Sequence, residues 1–312
     1  MPLPTLPTIA AEDTLGFFVW WGPRLVRITP AELHRIFVDV GLSPAHMPKD
    51  PTEETGFCRA VQAIHSKREG LTYRLLRRTP IEIAYGLCRW NESETEAAAS
   101  QFAKVSYLRA NRQVISDRPD DEVVRRIIGE IPTYRDNFIT SDIQGMLVAA
   151  MGRLNGVTIA GTSGNSRWVP AGAGDSLAKL KAAMSQITDR EGRRGTQGFT
   201  MAPVPRDESW RSLGETSARS EFGGRVAAAE ADLAGLKARI EAHAEAVAEA
   251  ERAGVDVPRG GVRGSTIAAR MSEYRGLRDT IESYAEALSF RADSMLENLD
   301  SVREELTDML GG

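Results

Sequence analysis

The apolar positions in the last third of the chain repeat with a helical period. From residue 222 onward they recur at alternating steps of four and three. They are Phe222, Val226, Ala229, Leu233, Leu236, Ile240, His243, Val247 and Ala250. A second series runs from Ile267 to Met309 in the same rhythm, with one irregular step between Leu288 and Ala292. Heptad spacing keeps one seam of a helix facing a partner, so the pattern predicts two long amphipathic helices.

The segment between the two series has the composition of a turn between two helices. Residues 254–264 contain Pro258 and four glycines, which stop a helix and let the chain reverse. Ser265 or Thr266 can then cap the second helix. We therefore predict an antiparallel coiled-coil hairpin over residues 222–312. Its arms have about 31 and about 46 residues, or roughly 45 and 70 Å.

The unequal arms leave the C-terminal apolar stripe without a partner in the first arm. Its members are Leu296, Leu299, Val302, Leu306, Met309 and Leu310. The Ala-rich seams bury little area per residue, so at ~25 cal/mol per Å² the hairpin alone is marginally stable. We expect these six residues to bind a protein partner or a second copy of the chain. Packing of the arm within its own chain is the alternative.

The first 205 residues alternate strand-like and helix-like patterns and predict a mixed α/β head, joined by a linker at 206–221. The fold class is therefore α+β. An apolar run at 17–21 and an alternating run at 24–28 flank Gly22-Pro23, which suggests a hairpin. Thr29-Pro30-Ala-Glu32 has the residues of a helix start, with a Thr cap and Glu three positions later.

Charge divides the chain at the same place as the hydrophobic pattern. Residues 206–312 contain 14 Lys and Arg against 21 Asp and Glu, a net charge of −7, which leaves +3 for residues 1–205. The head is therefore mildly basic and the tail acidic. A net +3 is far below the charge of a strongly basic domain and gives weak support for nucleic-acid binding.

One stretch of the head has the element order of a winged helix-turn-helix, which places its second helix in the DNA major groove. Its helices are predicted at 121–131 and 141–154 and its wing at 157–169. The side chains available to nucleic acid are Arg125, Arg126, Gln144, Arg153, Arg167, Arg190, Arg193 and Arg194. The second helix is mostly apolar, so the alternative is that these arginines form a solvated surface.

The sequence lacks the motifs of the common enzyme and metal sites. Its four histidines are scattered at His34, His46, His65 and His243, and its two cysteines lie thirty residues apart. It has no P-loop, no Rossmann fingerprint and no Gly-x-Ser-x-Gly elbow. We therefore predict no catalytic residues, no metal site and no cofactor, although a site assembled from distant residues stays open.

Two cysteines are too few for a disulfide framework, so a reducing, cytoplasmic location is expected. Residues 1–11 have no basic stretch and no long apolar stretch of a signal peptide. No run of 18 apolar residues occurs, so we expect no membrane partner.

The start Trp20-Trp21-Gly22-Pro23, the Ala-, Arg- and Gly-rich usage and the long helical tail resemble uncharacterised proteins of actinobacterial phages or plasmids. The resemblance covers the overall layout and implies origin, without an activity. The leading hypothesis is a non-enzymatic interaction protein, whose head docks a partner and whose coiled coil mediates assembly or oligomerisation. The alternative is a DNA-binding protein that uses residues 121–194.

Overall fold

A computed structural model describes residues 13–90, 99–159, 162, 164–256 and 260–311. Its helices and strands, in chain order, are β1 (Thr14–Gly22), β2 (Arg27–Ile28), α1 (Pro30–Asp39), α2 (Glu53–Gln62), β3 (Leu71–Arg78), β4 (Glu82–Arg89), β5 (Ser100–Leu108), β6 (Gln113–Ser116), α3 (Glu122–Arg135), β7 (Phe138–Ile139), α4 (Thr140–Arg153), β8 (Val157–Thr158), β9 (Ser166–Pro170), α5 (Gly174–Gln186), β10 (Gly198–Pro205), α6 (Glu208–Ala253), α7 (Gly264–Leu288) and α8 (Asp293–Gly311). The predicted α+β class, with a long helix after an α/β head, is confirmed.

The chain folds as two interleaved compact units, which corrects the predicted boundary at residue 205. One unit, the α/β unit, contains residues 22–149 and 178–199. The other, the bundle unit, contains the described residues of 13–21, 150–177 and 200–311. The predicted head is therefore divided between the two units, because the chain passes from one to the other several times.

The α/β unit is built on an antiparallel meander in the order β3-β4-β5-β6. One face of this sheet presents Ile83, Tyr85, Leu87 and Val105, in accordance with the two-residue period of a strand. Helices α2 and α3 cover this face, and all these residues share one buried core. The last two strands of this sheet, β5 and β6, are joined by a short turn at 109–112.

Local motifs of the α/β unit behave as predicted, whereas one strand pairing does not. The Thr29 side chain accepts a hydrogen bond from the Glu32 backbone N–H at 3.2 Å, as the cap motif predicts. The hairpin predicted around Gly22-Pro23 is absent. β1 pairs with β9, and β2 pairs with β7, both antiparallel. The strand β1 does end at Gly22, but partners that are distant in the sequence, and not a turn at Gly22-Pro23, determine the pairing.

The C-terminal region forms three helices, which corrects the two-arm hairpin. Helix α7 ends at Leu288, where Ser289 adopts a left-handed conformation with φ of 56°. This is the irregular step in the heptad pattern. Arg278 of α7 bonds Asp300 of α8, and Lys237 of α6 pairs with Glu305 of α8. The second predicted arm thus folds back on itself, antiparallel to its own first half and parallel to α6.

The predicted linker at 206–221 is instead the first part of α6. Asp207 caps this helix by accepting a hydrogen bond from the Trp210 backbone N–H at 3.0 Å. Helix α6 therefore has 46 residues rather than about 31. Ser217 and Ala218, both fully buried, already face the core within the predicted linker.

The apolar stripe at the C-terminus is covered by the chain's own bundle, which corrects the expectation that it lacks a partner. Leu299, Val302 and Leu306 are at most 3% exposed, and they share a core with α6 and α7. Leu296 and Met309 pack at the edge of this core, and Leu310 is 44% exposed. The alternative, packing within the chain, is what the structure shows.

Candidate functional site

The second helix of the predicted winged helix-turn-helix exposes few side chains that can form hydrogen bonds to a base. The order helix, short strand, helix, two strands is present as α3, β7, α4, β8 and β9. The exposed face of α4 presents Ser141, Gly145, Val148 and Ala149, followed by Gly152 and Arg153. Base readout needs several basic and amide side chains on one face, and this face carries one arginine. Positions 160, 161 and 163 of the predicted wing lie outside the described residues.

Several of the predicted nucleic-acid residues make contacts that account for them locally. Arg193 pairs with Asp189 at 2.8 Å, and Arg194 lies 4.0 Å from Glu32. Arg167 donates to the carbonyl of Gly164 and stacks over the Trp21 ring at 5.8 Å. Arg125 and Arg153 are exposed on their helices, and Gln144 is half-buried. Arg153 and Arg167 belong to the bundle unit, whereas Arg125, Arg190, Arg193 and Arg194 belong to the α/β unit.

Two of the predicted arginines are brought together at a pocket of about 300 Å³ in the α/β unit. Arg126 of α3 and Arg190 line it together with Arg27 of β2, which the sequence analysis did not select. We call it the helix-pair pocket, because its apolar residues come from the end of α2, the turn that follows α2, and α3. The floor consists of Ala60, Ala63, Ile64 and Ile127, and the rim is completed by Ser66, Glu69, Glu130 and Tyr134.

Two of the three guanidinium groups at this pocket are available to a ligand. Arg126 pairs with Glu69 at 2.9 Å. Within the part of the chain that the structure describes, neither Arg27 nor Arg190 has an ion pair. Both are exposed side chains on neighbouring backbone segments, since the Arg190 N–H donates to the Leu25 carbonyl at 2.7 Å and the Thr188 hydroxyl donates to the Arg27 carbonyl at 3.0 Å.

The loop that carries Arg190 is organised by a buried carboxylate. Asp189 is 3% exposed and accepts hydrogen bonds from the backbone N–H groups of Glu191 and Arg193, both at 2.9 Å. Burial acts to raise the pKa of Asp189, but the backbone and guanidinium donors of Arg193 outweigh it, and the pKa is lowered. The ionised carboxylate therefore fixes the backbone on either side of Arg190.

Tyr134 adds a hydroxyl group to the rim. Burial raises its pKa, the nearby Glu130 raises it further, and Arg27 opposes both effects. The phenol is therefore neutral at physiological pH and can donate a hydrogen bond. A site with guanidinium groups, a phenol and an apolar floor suits an anionic group attached to a less polar body.

A second pocket of about 610 Å³ lies at another edge of the α/β unit. It is bordered by the start of α2, the end of α3 and the turn between β5 and β6, and we call it the hairpin-edge pocket. Its charged residues are Glu53, Glu54, Arg109, Arg112 and Arg135. These five residues come from three distant segments and share no linear motif, so the sequence alone did not mark them as site residues.

No group of three or more His, Cys, Asp or Glu side chains suited to a metal ion occurs among the described residues. Within the same residues, no helix combines the length and apolarity required to cross a membrane.

One known family matches nearly the whole chain. The chain belongs to DUF6744, a family of unknown function, whose model matches residues 14–311. No curated protein and no solved structure matches the chain. The family description names neither phages nor plasmids, so the resemblance to their proteins stays a prediction.

Proposed function

We propose that this protein binds nucleic acid through the phosphate backbone, at the helix-pair pocket of its α/β unit. The observation that carries the proposal is the convergence of Arg27, Arg126 and Arg190 on one pocket. These residues are far apart in the sequence, and two of them have unpaired guanidinium groups within the described structure. Guanidinium groups bind phosphate oxygens through two parallel hydrogen bonds, which suits them to this partner.

The chemistry of the pocket favours binding without sequence preference. Phosphate contacts fix the position of a protein on nucleic acid, whereas contacts to base edges read its sequence. The exposed face of α4 offers few groups for base edges. We therefore place binding at the backbone and replace the predicted winged-helix mode, keeping Arg126 and Arg190 from its residue set.

The test is binding of a labelled DNA duplex and a labelled single strand to the full-length protein in low salt. The variant carries Arg27→Ala, Arg126→Ala and Arg190→Ala together. The matched control, Arg35→Ala with Arg68→Ala and Arg118→Ala, removes the same charge from exposed positions of the same unit. We expect the pocket variant to lose affinity about tenfold or more and the control to lose much less.

Two results would contradict the proposal. One is that the unaltered protein binds neither DNA in low salt. The other is that the control variant loses as much affinity as the pocket variant, because attraction would then depend on net charge alone. Thermal unfolding of both variants checks whether each is folded, so that a loss of binding can be distinguished from a loss of folding.

The assembly function predicted from the sequence is the weaker proposal. It depends on six apolar residues, of which three are buried and two pack at the edge of the chain's own core. Docking of a protein partner or of a second copy then needs another surface. Light scattering of the full-length protein at micromolar concentration tests self-association directly.

A further inference from the structure

We propose that a pocket between α6 and the start of α7 binds a phosphate group, as the free ion or on a small molecule. The pocket has a volume of about 760 Å³ and is lined by Arg239, His243, Arg263, Thr266 and residues 260–262. We call it the α6–α7 pocket. All of its lining residues belong to the bundle unit, so this inference goes beyond the proposed function, which concerns the α/β unit.

The α6–α7 pocket brings together basic side chains from two segments of the chain. Arg239 and His243 are four residues apart on α6, which places them on one face of that helix. Arg263, from the segment before α7, lines the same pocket. No Asp or Glu is among the described residues that line it. Two guanidinium groups and an imidazole without a facing carboxylate favour an anionic ligand.

Both arginines are open to solution and free of ion pairs within the described residues, although acidic residues outnumber basic ones by 21 to 14 in residues 206–312. Other arginines of these helices do pair, as Arg278 does with Glu282 four residues later, at 2.9 Å. Neither Arg239 nor Arg263 has an acidic residue three or four positions away. Their guanidinium groups are therefore available to a ligand that arrives from solvent.

A glycine allows the loop before α7 to pack against His243. A Cβ added to Gly261 would lie 3.0 Å from His243 Cδ2 and 3.4 Å from His243 Nε2, which leaves little room for a side chain. Gly261 also has a φ of 21°, a conformation that glycine adopts more readily than other residues. Because the loop approaches α6 this closely, Arg263 lies beside Arg239 and His243 in one pocket.

The first turn of α7 adds to the attraction that these side chains exert on an anion. The sequence predicted that Ser265 or Thr266 caps this helix, but Arg263 is the N-cap residue and no side chain accepts a hydrogen bond there. The N–H groups of a first helical turn lack partners within the helix and carry partial positive charge. They are therefore suited to the same phosphate oxygens as the arginines.

The charge of the surrounding region favours a small anion over nucleic acid. Residues 206–312 carry a net charge of −7. A long polyanion would lie against these acidic helices as well as against the pocket, and repulsion within a Debye length of roughly 8–10 Å would oppose its binding. A single phosphate group contacts the pocket alone, and the volume of the pocket lies in the range of small-molecule sites.

The experiment is calorimetric titration of the full-length protein, at constant ionic strength, with inorganic phosphate, glycerol 3-phosphate and glycerol. We expect both phosphates to bind saturably and glycerol not to bind. The tighter of the two phosphates shows whether the free ion or a phosphomonoester is the better ligand.

A double variant tests the two arginines. Arg239→Gln with Arg263→Gln should weaken phosphate binding about tenfold or more, because two charge-assisted contacts are lost. The matched control, Arg252→Gln with Arg275→Gln, removes the same charge from exposed positions of α6 and α7 and should leave binding nearly unchanged. Thermal unfolding checks that both variants are folded.

Three outcomes overturn the inference. They are no saturable binding of either phosphate at millimolar concentration, an equal loss in the two double variants, or a loss of DNA binding but not of phosphate binding in the Arg239 and Arg263 variant. The triple alanine variant of the helix-pair pocket should keep phosphate binding even where it loses DNA binding. Each proposal can therefore fail without the other.

Discussion

The buried charge of Asp189 affects the stability of the protein and also the shape of the helix-pair pocket. Its folded pKa is lowered, so its ionised form contributes stability above the unfolded pKa of about 3.9. That contribution is lost as pH falls through the lower, folded pKa. We predict that Asp189→Asn flattens the fall in unfolding free energy below about pH 4, as measured by denaturant titration at a series of pH values.

The control for this prediction is Asp39→Asn, which removes an exposed carboxylate paired with exposed Arg35. It should leave the acid limb of the stability curve nearly as in the unaltered protein. If both substitutions flatten that limb equally, general charge repulsion rather than the Asp189 loop governs acid unfolding.

Among single residues, the interactions that the sequence predicts are those between positions close together in the chain. The Thr29 cap could be predicted because its donor, the Glu32 backbone N–H, lies only three residues away. Arg126 and Arg190 were selected as basic residues, but nothing in the sequence showed that they meet Arg27. The hairpin-edge residues were missed for the same reason, since their meeting depends on the register of β5 and on the packing of α2 against α3.

The packing of α2 against α3 depends on one glycine. A Cβ added to Gly56 would lie 2.9 Å from the Ile131 carbonyl oxygen and 3.1 Å from Arg135 Cβ. Because the obstacle is helix backbone, the two helices must separate. We predict that Gly56→Ala destabilises the protein by about 1–3 kcal/mol in denaturant titration.

The matched control is Gly129→Ala on α3, where nothing lies within 4 Å of the added Cβ. Alanine is the better helix former there, so stability should rise by about 0.5–1 kcal/mol. Opposite signs for the two substitutions support close helix packing at Gly56. A stabilising effect of Gly56→Ala would contradict it.

Helix α8 supplies the test of whether the C-terminal stripe is core or interface. Leu306 is fully buried against α6 and α7, whereas Leu310 is 44% exposed. We predict that Leu306→Ala lowers the unfolding free energy by about 2–5 kcal/mol and that Leu310→Ala changes it by less than about 0.5 kcal/mol. An unaltered stability in Leu306→Ala, with a change in oligomeric state, would restore the interface interpretation.

The heptad pattern predicted the seam of these helices correctly but not their number. Its seam positions are largely buried, including Phe222, Leu236 and Tyr284. The irregular step at Leu288–Ala292 was visible in the sequence, and it marks the end of α7. Periodicity reports which face of a helix is covered, but it contains no information on which segment covers it.

For the whole molecule, each unit is built from stretches of chain that alternate with those of the other unit, so the domain boundaries could not be predicted from the sequence. The bundle unit takes β1, β8, β9 and part of β10 from regions that are separated along the chain by the α/β unit. The change in charge near residue 206 is real in the sequence, but it falls inside one unit. Composition therefore identified the acidic helices and not the strands that fold with them.

The dependence of DNA binding on salt is a prediction for the whole molecule. Each phosphate neutralised on a duplex contributes about −0.9 to the slope of log K against log salt concentration. Three guanidinium groups at the helix-pair pocket therefore give a slope of about −2.7 on duplex DNA, and about −2.1 on a single strand, where each contributes about −0.7.

The slope distinguishes a local site from a diffuse field, since the protein has a net charge of −4. Removing Arg27, Arg126 and Arg190 should bring the slope close to zero, whereas removing Arg35, Arg68 and Arg118 should leave it near its original value. Fluorescence anisotropy over a series of salt concentrations measures both. An equal slope in the two triple variants would place the DNA elsewhere on the protein, because counterion release then depends on none of the three pocket arginines.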